Sequence, residues 1–270
     1  MGNDIPHVGF GVYRIPASRT AEAVRIALDA GYRHIDTAQV YGNEAEVGTA
    51  IRESGLPRED VFLTTKLNPQ RHGYASTGQE LDESLRRLQT SYVDLFLLHW
   101  PSPGRDRYLE SWRACADLLA EGKVRAIGVS NLTVVDLAWL AERSDTVPDV
   151  NQVELHPGLQ QAELRRYHDA HGIVTEAWGP LAEGESLTDP TLRALARKYE
   201  TTPAQLILRW HVQLGNIPLP KSVKPARIRE NIAVFDFRID AEDMARIAAL
   251  DGDPHGARSR TRGAGLPRWQ

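Results

Sequence analysis

Four residues of this chain can deliver a proton to a carbonyl oxygen if folding brings them together: Asp36, Tyr41, Lys66 and His99. Asp36 and Tyr41 stand within one short stretch, just past an apolar strand that ends in Arg33 to Asp36. Lys66 ends the run from Val61, and His99 ends the run from Val93. A tyrosine has a reference pKa of about 10, so protonating an alkoxide near neutral pH needs a neighbour that favours the ionised phenol. The Lys66 ammonium is expected to lower the pKa of Tyr41, with Asp36 holding that ammonium charged and oriented. His99 is expected to hydrogen-bond the carbonyl oxygen, polarising and fixing it. Such a set makes an acid and no nucleophile. Taken singly, each residue has an ordinary reading: a strand-end aspartate or lysine serves in structural ion pairs, and a lone histidine sits in many cores.

The elements that must position these groups alternate along the chain. Residues 5 to 13 read as a short strand, and a helix follows from about Thr20 with Val24, Ala27 and Leu28 on one face and Gly31 as its stop. Further strands are expected at 33 to 36, 61 to 65, 93 to 98, 124 to 130, 150 to 154, 173 to 178 and 217 to 220. Each is followed by a helical pattern. Thr77 and Glu80 are spaced as a capping box ahead of Leu81, Leu85 and Leu88. Asp189-Pro190 and Thr202-Pro203-x-Gln205 open two later helices, and two more start near Pro225 and Asp240. Eight strands without a Ser/Gly/Pro linker between residues 5 and 250 argue for one domain over 1-270. The fold class is α/β: a single (β/α)8 TIM barrel with C-terminal helices and a tail. Asp36, Lys66, His99, Ser130, Gln152, Trp178 and Lys221 each fall at or just past a strand's C-terminal end, the rim where such barrels carry their chemistry.

Composition narrows the function. The 270 residues hold 32 Lys plus Arg against 36 Asp plus Glu, a net charge of −4 that advertises neither nucleic acid nor an anionic membrane. The single cysteine, Cys115, excludes an intrachain disulfide and a multi-thiolate metal site, and reads as a packed thiol. No signal-peptide pattern and no apolar run of the ~18 residues a span needs are present, so a soluble cytoplasmic monomer is expected. Gly9-x-Gly11 lacks the third glycine and the helix of a dinucleotide fingerprint, and reads as close backbone packing. His156, His168 and His171 offer no credible metal-ligand set, and no Gly-x-Ser-x-Gly elbow occurs.

Proton delivery to a carbonyl also needs a hydride donor. Ser130, Asn131 and Gln152 put a hydroxyl and two amides at successive strand ends, suited to a nicotinamide carboxamide, and Trp178 offers a flat face for the ring. Lys221, Ser222, Lys224 and Arg227 gather three cations and a hydroxyl at the last strand end, a phosphate grip of the kind barrels build near strands 7 and 8.

With these residues in view, the chain resembles the aldo-keto reductases, and most closely their bacterial 2,5-diketo-D-gluconate reductase branch. The resemblance runs from Ile5 to about Leu250 and rests on Asp-Thr-Ala-x-x-Tyr-Gly-Asn-Glu at 36 to 44, Thr-Thr-Lys-Leu at 64 to 67 and Asp-Leu-Phe-Leu-Leu-His-Trp-Pro at 94 to 101. It rests equally on Ile-Gly-Val-Ser-Asn at 127 to 131, Asn-Gln-Val-Glu-Leu-His-Pro at 151 to 157 and Leu-Pro-Lys-Ser-Val at 219 to 223. It implies Tyr41 as general acid, Asp36 and Lys66 as its tuners, and His99 as carbonyl orienter. It also implies Ser130, Asn131 and Gln152 on the carboxamide, and Trp178, Gly179, Pro180 and Leu181 along the cofactor. Lys221, Ser222, Val223 and Arg227 would hold a ribose 2′-phosphate, with Asn231 near the adenine and NADPH as donor. Tyr13 and Trp100, with His99, would wall a pocket for a small-molecule carbonyl substrate. The function implied is NADPH-dependent reduction of small aldehydes, ketones or α-dicarbonyls.

The sequence departs from that family in three places. Trp178-Gly179 stands where a tyrosine and a serine are usual, part of an N-terminal hairpin is missing, and the tail from 251 to 270 carries Arg258, Arg260, Arg262 and Arg268. Two readings of the tail are open: a solvated end, or a flap bringing Trp269 to the substrate. Two rival functions are open as well. One is a catalytically weak nicotinamide-binding regulatory protein; the other is a sugar-phosphate enzyme with Lys66 as a Schiff-base amine.

Overall fold

The computed structural model describes residues 5–101 and 104–252. In chain order the elements are β1 (Phe10–Gly11), α1 (Ala17–Asp29), β2 (His34–Asp36), α2 (Glu44–Glu53), β3 (Phe62–Leu67), α3 (Tyr74–Leu88), β4 (Val93–Leu98) and α4 (Arg105–Ala120). Then come β5 (Val124–Ser130), α5 (Val134–Ala141), β6 (Val150–Glu154), α6 (Ala162–His171), β7 (Val174–Trp178), α7 (Pro190–Lys198), α8 (Pro203–Gln213), β8 (Ile217–Pro218), α9 (Pro225–Ile232) and α10 (Ala241–Ala248). The strands pair in sequence order from β1 to β8, every pair parallel. The ring closes where Gly9 N donates to Pro218 O at 3.0 Å and Gly11 N to Pro220 O at 3.1 Å. This is the expected (β/α)8 barrel.

Strand periodicity explains how the barrel carries polar groups on one end only. Inward positions recur every second residue. At the lower end Leu95, Leu97, Ala126, Val150 and Ile217 pack with Ile5 into a small inner core, with the partly buried Phe62 of β3 and Val174 of β7 against it. Two or four residues further along the same strands the inward positions become Thr64, Lys66, Ser130, Gln152 and Glu176, all buried. The outer faces of the strands meet the apolar faces of the helices in the main core, where Phe96, Trp112, Ile127, Leu206 and Trp210 are almost completely buried.

Local sequence sets the helix starts. Asp189 accepts from Leu192 N with Pro190 in the first turn, and Thr202 with Gln205 forms a full capping box. The expected box at Thr77 and Glu80 does not form. The helix α3 begins a turn earlier, after Gly73 at φ 138, and the Thr77 hydroxyl donates back to Gly73 O at 2.7 Å. The strand expected over 5 to 13 contracts to Phe10–Gly11, because only these residues pair with β2. Gly9 serves the close packing expected of it: a Cβ there would come within 2.4 Å of Leu219 Cδ2. Cys115 is free and buried, and no helix among the described residues is long and apolar enough to cross a membrane. From residue 253 onward the tail, with Trp269, lies outside the described residues.

Candidate active site

Lys66 reaches the rim from β3, fully buried, and its ammonium has three donors. All three are engaged: Asp36 Oδ1 at 2.6 Å, Asp36 Oδ2 at 2.7 Å and Thr37 O at 2.9 Å. Tyr41 lies over this pair, with Lys66 Nζ 5.2 Å from its ring centre. Tyr41 ends a short 3-10 turn (Gln39–Tyr41) that Gln39 fastens to the rim, donating to Glu80 O and Ser84 Oγ and accepting from Asn68 N. Asn43 ties the same loop to the one after β1, donating to Val12 O and Ile15 O and accepting from the Thr37 hydroxyl.

The electrostatics differ from the expectation in one respect. Lys66 is expected to lower the Tyr41 pKa, yet burial first, then the Asp36 carboxylate and then Tyr13, push the phenol well above its usual value. The ammonium faces Asp36 and Thr37, so its donors do not stabilise a phenolate in this state. Tyr41 is therefore held as a protonated phenol.

His99 packs edge-on against Tyr41, ring centres 5.7 Å apart. Burial, then Lys66, hold its pKa well below the usual histidine range, so the ring is neutral with one N–H. Its Nδ1 is buried without a partner. Burying an orphan acceptor costs less than burying an orphan N–H, which puts the proton on Nε2. Aromatic rings surround these groups: Tyr13 lies 5.1 Å from Tyr41, and Trp100 lies 6.4 Å from both His99 and Trp178.

The residues expected around a nicotinamide form one connected row. Ser130 and Gln152 are register partners, and Ser130 Oγ donates to Gln152 O at 2.8 Å. Asn131, in the left-handed region at φ 65, donates from its amide to His99 O and Ser130 Oγ and accepts from Trp178 Nε1 at 2.8 Å. The indole is thereby locked in place. Gly179, at φ 61, turns the chain away from Trp178 toward Pro180 and Leu181, and Pro180 O faces His211 Nε2 at 3.3 Å. At the far end, Lys221, Lys224 and Arg227 are exposed and make no ion pair among the described residues. The nearby Arg14 guanidinium adds to burial in pushing the Lys221 pKa down. Ser222 is buried beside them, Arg19 donates to Val223 O, and Asn231 is buried on α9. Among the described residues no group of three or more His, Cys, Asp or Glu could hold a metal ion.

The chain as a whole is similar to known proteins. The family model described as the aldo/keto reductase family matches residues 7–252. The chain belongs to that family. It is similar to an aldo/keto reductase structure from Brucella melitensis, with TM-score 0.89 and 51% sequence identity over 92% of this chain and 95% of that one. The glyoxal reductase of Bacillus subtilis is 46% identical over 253 residues, covering 93% of this chain and 91% of its own. A Gox0644 variant solved in complex with NADPH has TM-score 0.91 at 41% identity, covering 97% of this chain and 95% of that one. As an aldo/keto reductase, the chain is an oxidoreductase.

Sequence-based expectation misses Thr37, whose carbonyl takes the third Lys66 proton, and Glu176, which touches Gln152. A backbone carbonyl leaves no signal in residue type. Glu176 does leave one: a charged residue in the middle of a buried strand, two residues before Trp178 and so on the same inward face.

Proposed function

We propose that this aldo/keto reductase uses NADPH to reduce small aldehydes and ketones, α-dicarbonyls foremost, to alcohols. The observation that carries the reading is the buried Asp36–Lys66 pair beneath the protonated Tyr41, with a neutral His99 edge-on beside it. The residues present fit the cofactor. Three cations without ion pairs among the described residues and the Ser222 hydroxyl suit a 2′-phosphate, which separates NADPH from NADH by charge. The locked indole of Trp178 offers a face for the nicotinamide ring.

NADPH supplies a hydride to the carbonyl carbon when bound. As charge builds on the carbonyl oxygen, His99 Nε2–H orients and stabilises it, and the Tyr41 hydroxyl gives it the proton that completes the alcohol. An alkoxide is far more basic than even a raised phenol, so the upward shift of Tyr41 does not hinder this step. It does favour reduction over oxidation at neutral pH, because oxidation requires the phenolate as base. Once the proton leaves, a Lys66 donor would have to turn from Asp36 or Thr37 toward the phenolate to offset its charge. The aromatic walls of Tyr13, Trp100 and Trp178 suit compact, planar carbonyl compounds. The name of the Bacillus subtilis relative, glyoxal reductase, supports the α-dicarbonyl class.

The test is the loss of nicotinamide absorbance with NADPH and NADH in parallel, against glyoxal, methylglyoxal, aromatic aldehydes and keto-sugars. Rapid NADPH oxidation with the dicarbonyls is the expected result. Tight NADPH binding without oxidation of any panel member would favour the regulatory reading, and absence of binding would favour the sugar-phosphate one.

A further inference from the structure

Glu176 is a carboxyl group buried in the barrel interior to which the proposed chemistry gives no part. It faces inward from β7, in register with Gln152 on β6. The Gln152 amide nitrogen donates to Glu176 Oε2 at 2.8 Å and to Asp36 Oδ2 at 2.9 Å, so both its N–H bonds end on carboxyl oxygens. The amide cannot turn over, because its oxygen would then meet the Asp36 carboxylate with no hydrogen between them. Gln152 Oε1 is left as the amide's open acceptor, on the row expected to meet the nicotinamide carboxamide.

We propose that Glu176 is a positioning residue for the cofactor: with Asp36 it pins the Gln152 amide from below, fixing which atom Gln152 presents to the nicotinamide. The proposal rests on the NADPH reading above. Asp36 alone would hold one N–H and leave the other buried without a partner, free to draw the amide out of place. Glu176 supplies the second anchor.

The surroundings of Glu176 add a pH dependence. Facing it are Asp36, Lys66 and Gln152, and His34, whose Nε2 lies 3.8 Å from Glu176 Oε1 and 3.0 Å from Thr64 Oγ1. Burial, then the Asp36 carboxylate, push Glu176 up to about 8, while the Gln152 hydrogen bond and Lys66 act against them. His34, pushed down to about 3 by burial and Lys66, brings no positive charge. One cation thus serves two carboxyl groups, and at pH 7 Glu176 is the neutral one. Its Oε1 has no hydrogen-bond partner among the described residues. Above pH 8 the carboxylate carries a negative charge beside Asp36 with the Gln152 amide as its one donor, and a buried charge so poorly paired pulls the amide and its neighbours toward itself.

The experiment compares the wild type with Glu176→Gln and Glu176→Leu. It measures NADPH affinity by tryptophan quenching between pH 6.5 and 9.5, with kcat, carbonyl KM and melting temperature alongside. Glu176→Gln keeps an acceptor for Gln152 but cannot ionise. The wild type is expected to bind NADPH about 10-fold more weakly at pH 9.5 than at pH 7, while Glu176→Gln stays within about 2-fold across the range. Glu176→Leu, which leaves one Gln152 N–H unpaired, is expected to bind about 10-fold more weakly at pH 7 with carbonyl KM little changed. An alkaline loss in Glu176→Gln equal to that of the wild type would overturn the proposal, as would wild-type affinity in Glu176→Leu. If Glu176→Leu does not fold, the pH profile of Glu176→Gln decides alone. A wild type that fails to bind NADPH overturns the cofactor reading and this proposal with it; binding by the wild type with both variants unaltered overturns only this proposal.

Discussion

Replacing Asp36 by leucine should damage stability more than most point substitutions, and the size follows from the hydrogen bonds of Lys66. The Lys66 ammonium is fully buried, and two of its three donors end on Asp36. Asp36→Leu leaves a buried cation with Thr37 O as its remaining acceptor and also removes an acceptor from Gln152. Breaking one side of a buried ion pair costs roughly 3–5 kcal/mol. With an unfolding entropy of about 2.1 cal/mol/K per residue, a chain of 270 residues loses about 0.6 kcal/mol per degree, so the melting temperature should fall by roughly 5–9 °C. Removing both charges is a different perturbation. The double variant Asp36→Leu/Lys66→Met should cost at least ~2 kcal/mol less than the sum of its single variants, because no uncompensated charge remains. Urea unfolding of the four proteins measures this directly, and turnover is not needed as a readout. A loss below ~1 kcal/mol in Asp36→Leu, or strict additivity in the double variant, would refute the view that this pair is a desolvated charge balance.

Three further outcomes are expected. Tyr41→Phe should abolish carbonyl reduction while NADPH affinity stays near that of the wild type, and in the wild type alcohol oxidation should rise with pH more steeply than reduction; retained turnover in the phenylalanine variant removes Tyr41 as the acid. His34, His72, His99, His168 and His211 all have folded-state pKa values below the usual 6.5, mainly through burial. The unfolded chain therefore binds more protons at acid pH: stability is full above about 6.5 and falls by up to ~1.4 kcal/mol per pH unit for each histidine below it. Glu176, with its raised value, acts in the opposite sense between about 4.5 and 8, and Asp149, raised by burial, acts with it, two groups against five. Equal urea midpoints at pH 5 and pH 7 would contradict this. Gly48→Ala should destabilise by more than ~2 kcal/mol although alanine is the better helix former, because its Cβ would sit 2.3 Å from the backbone oxygen of Leu88; an unchanged melting temperature would show that α2 and α3 can part.

The barrel was legible because strands and helical patterns alternate along the whole chain, and strands such as Val93–Leu98 show the apolar run of a parallel strand buried on both faces. Asp36, Lys66, His99, Ser130 and Gln152 were legible for a related reason. Parallel strands all end on the same rim, so polar residues that close successive apolar runs must meet. What escaped depends on direction rather than position. Nothing in the residue types says that all three Lys66 donors turn to Asp36 and Thr37, or that Tyr41 is buried deeply enough for burial, then Asp36, to push its phenol up. The start of α3 escaped because Gly73, at φ 138, bends the chain into a helix ahead of the Thr77 signal. Glu176 escaped because the strand expected at 173 to 178 was weighed only for Trp178 at its end, although its period with Trp178 puts Glu176 among the inward residues.

The barrel is a hoop whose two ends meet at a short join. Its first and last strands are two residues each, and beyond them the closure consists of Gly9 N to Pro218 O and Gly11 N to Pro220 O. Lys221 and Ser222 leave directly from that join. A hoop loosens first where its ladder is shortest. Under the proposed function, a phosphate held there would also be a suture, fastening the beginning of the chain to its final strand. A barrel that starts to open would release what it holds before it loses its shape.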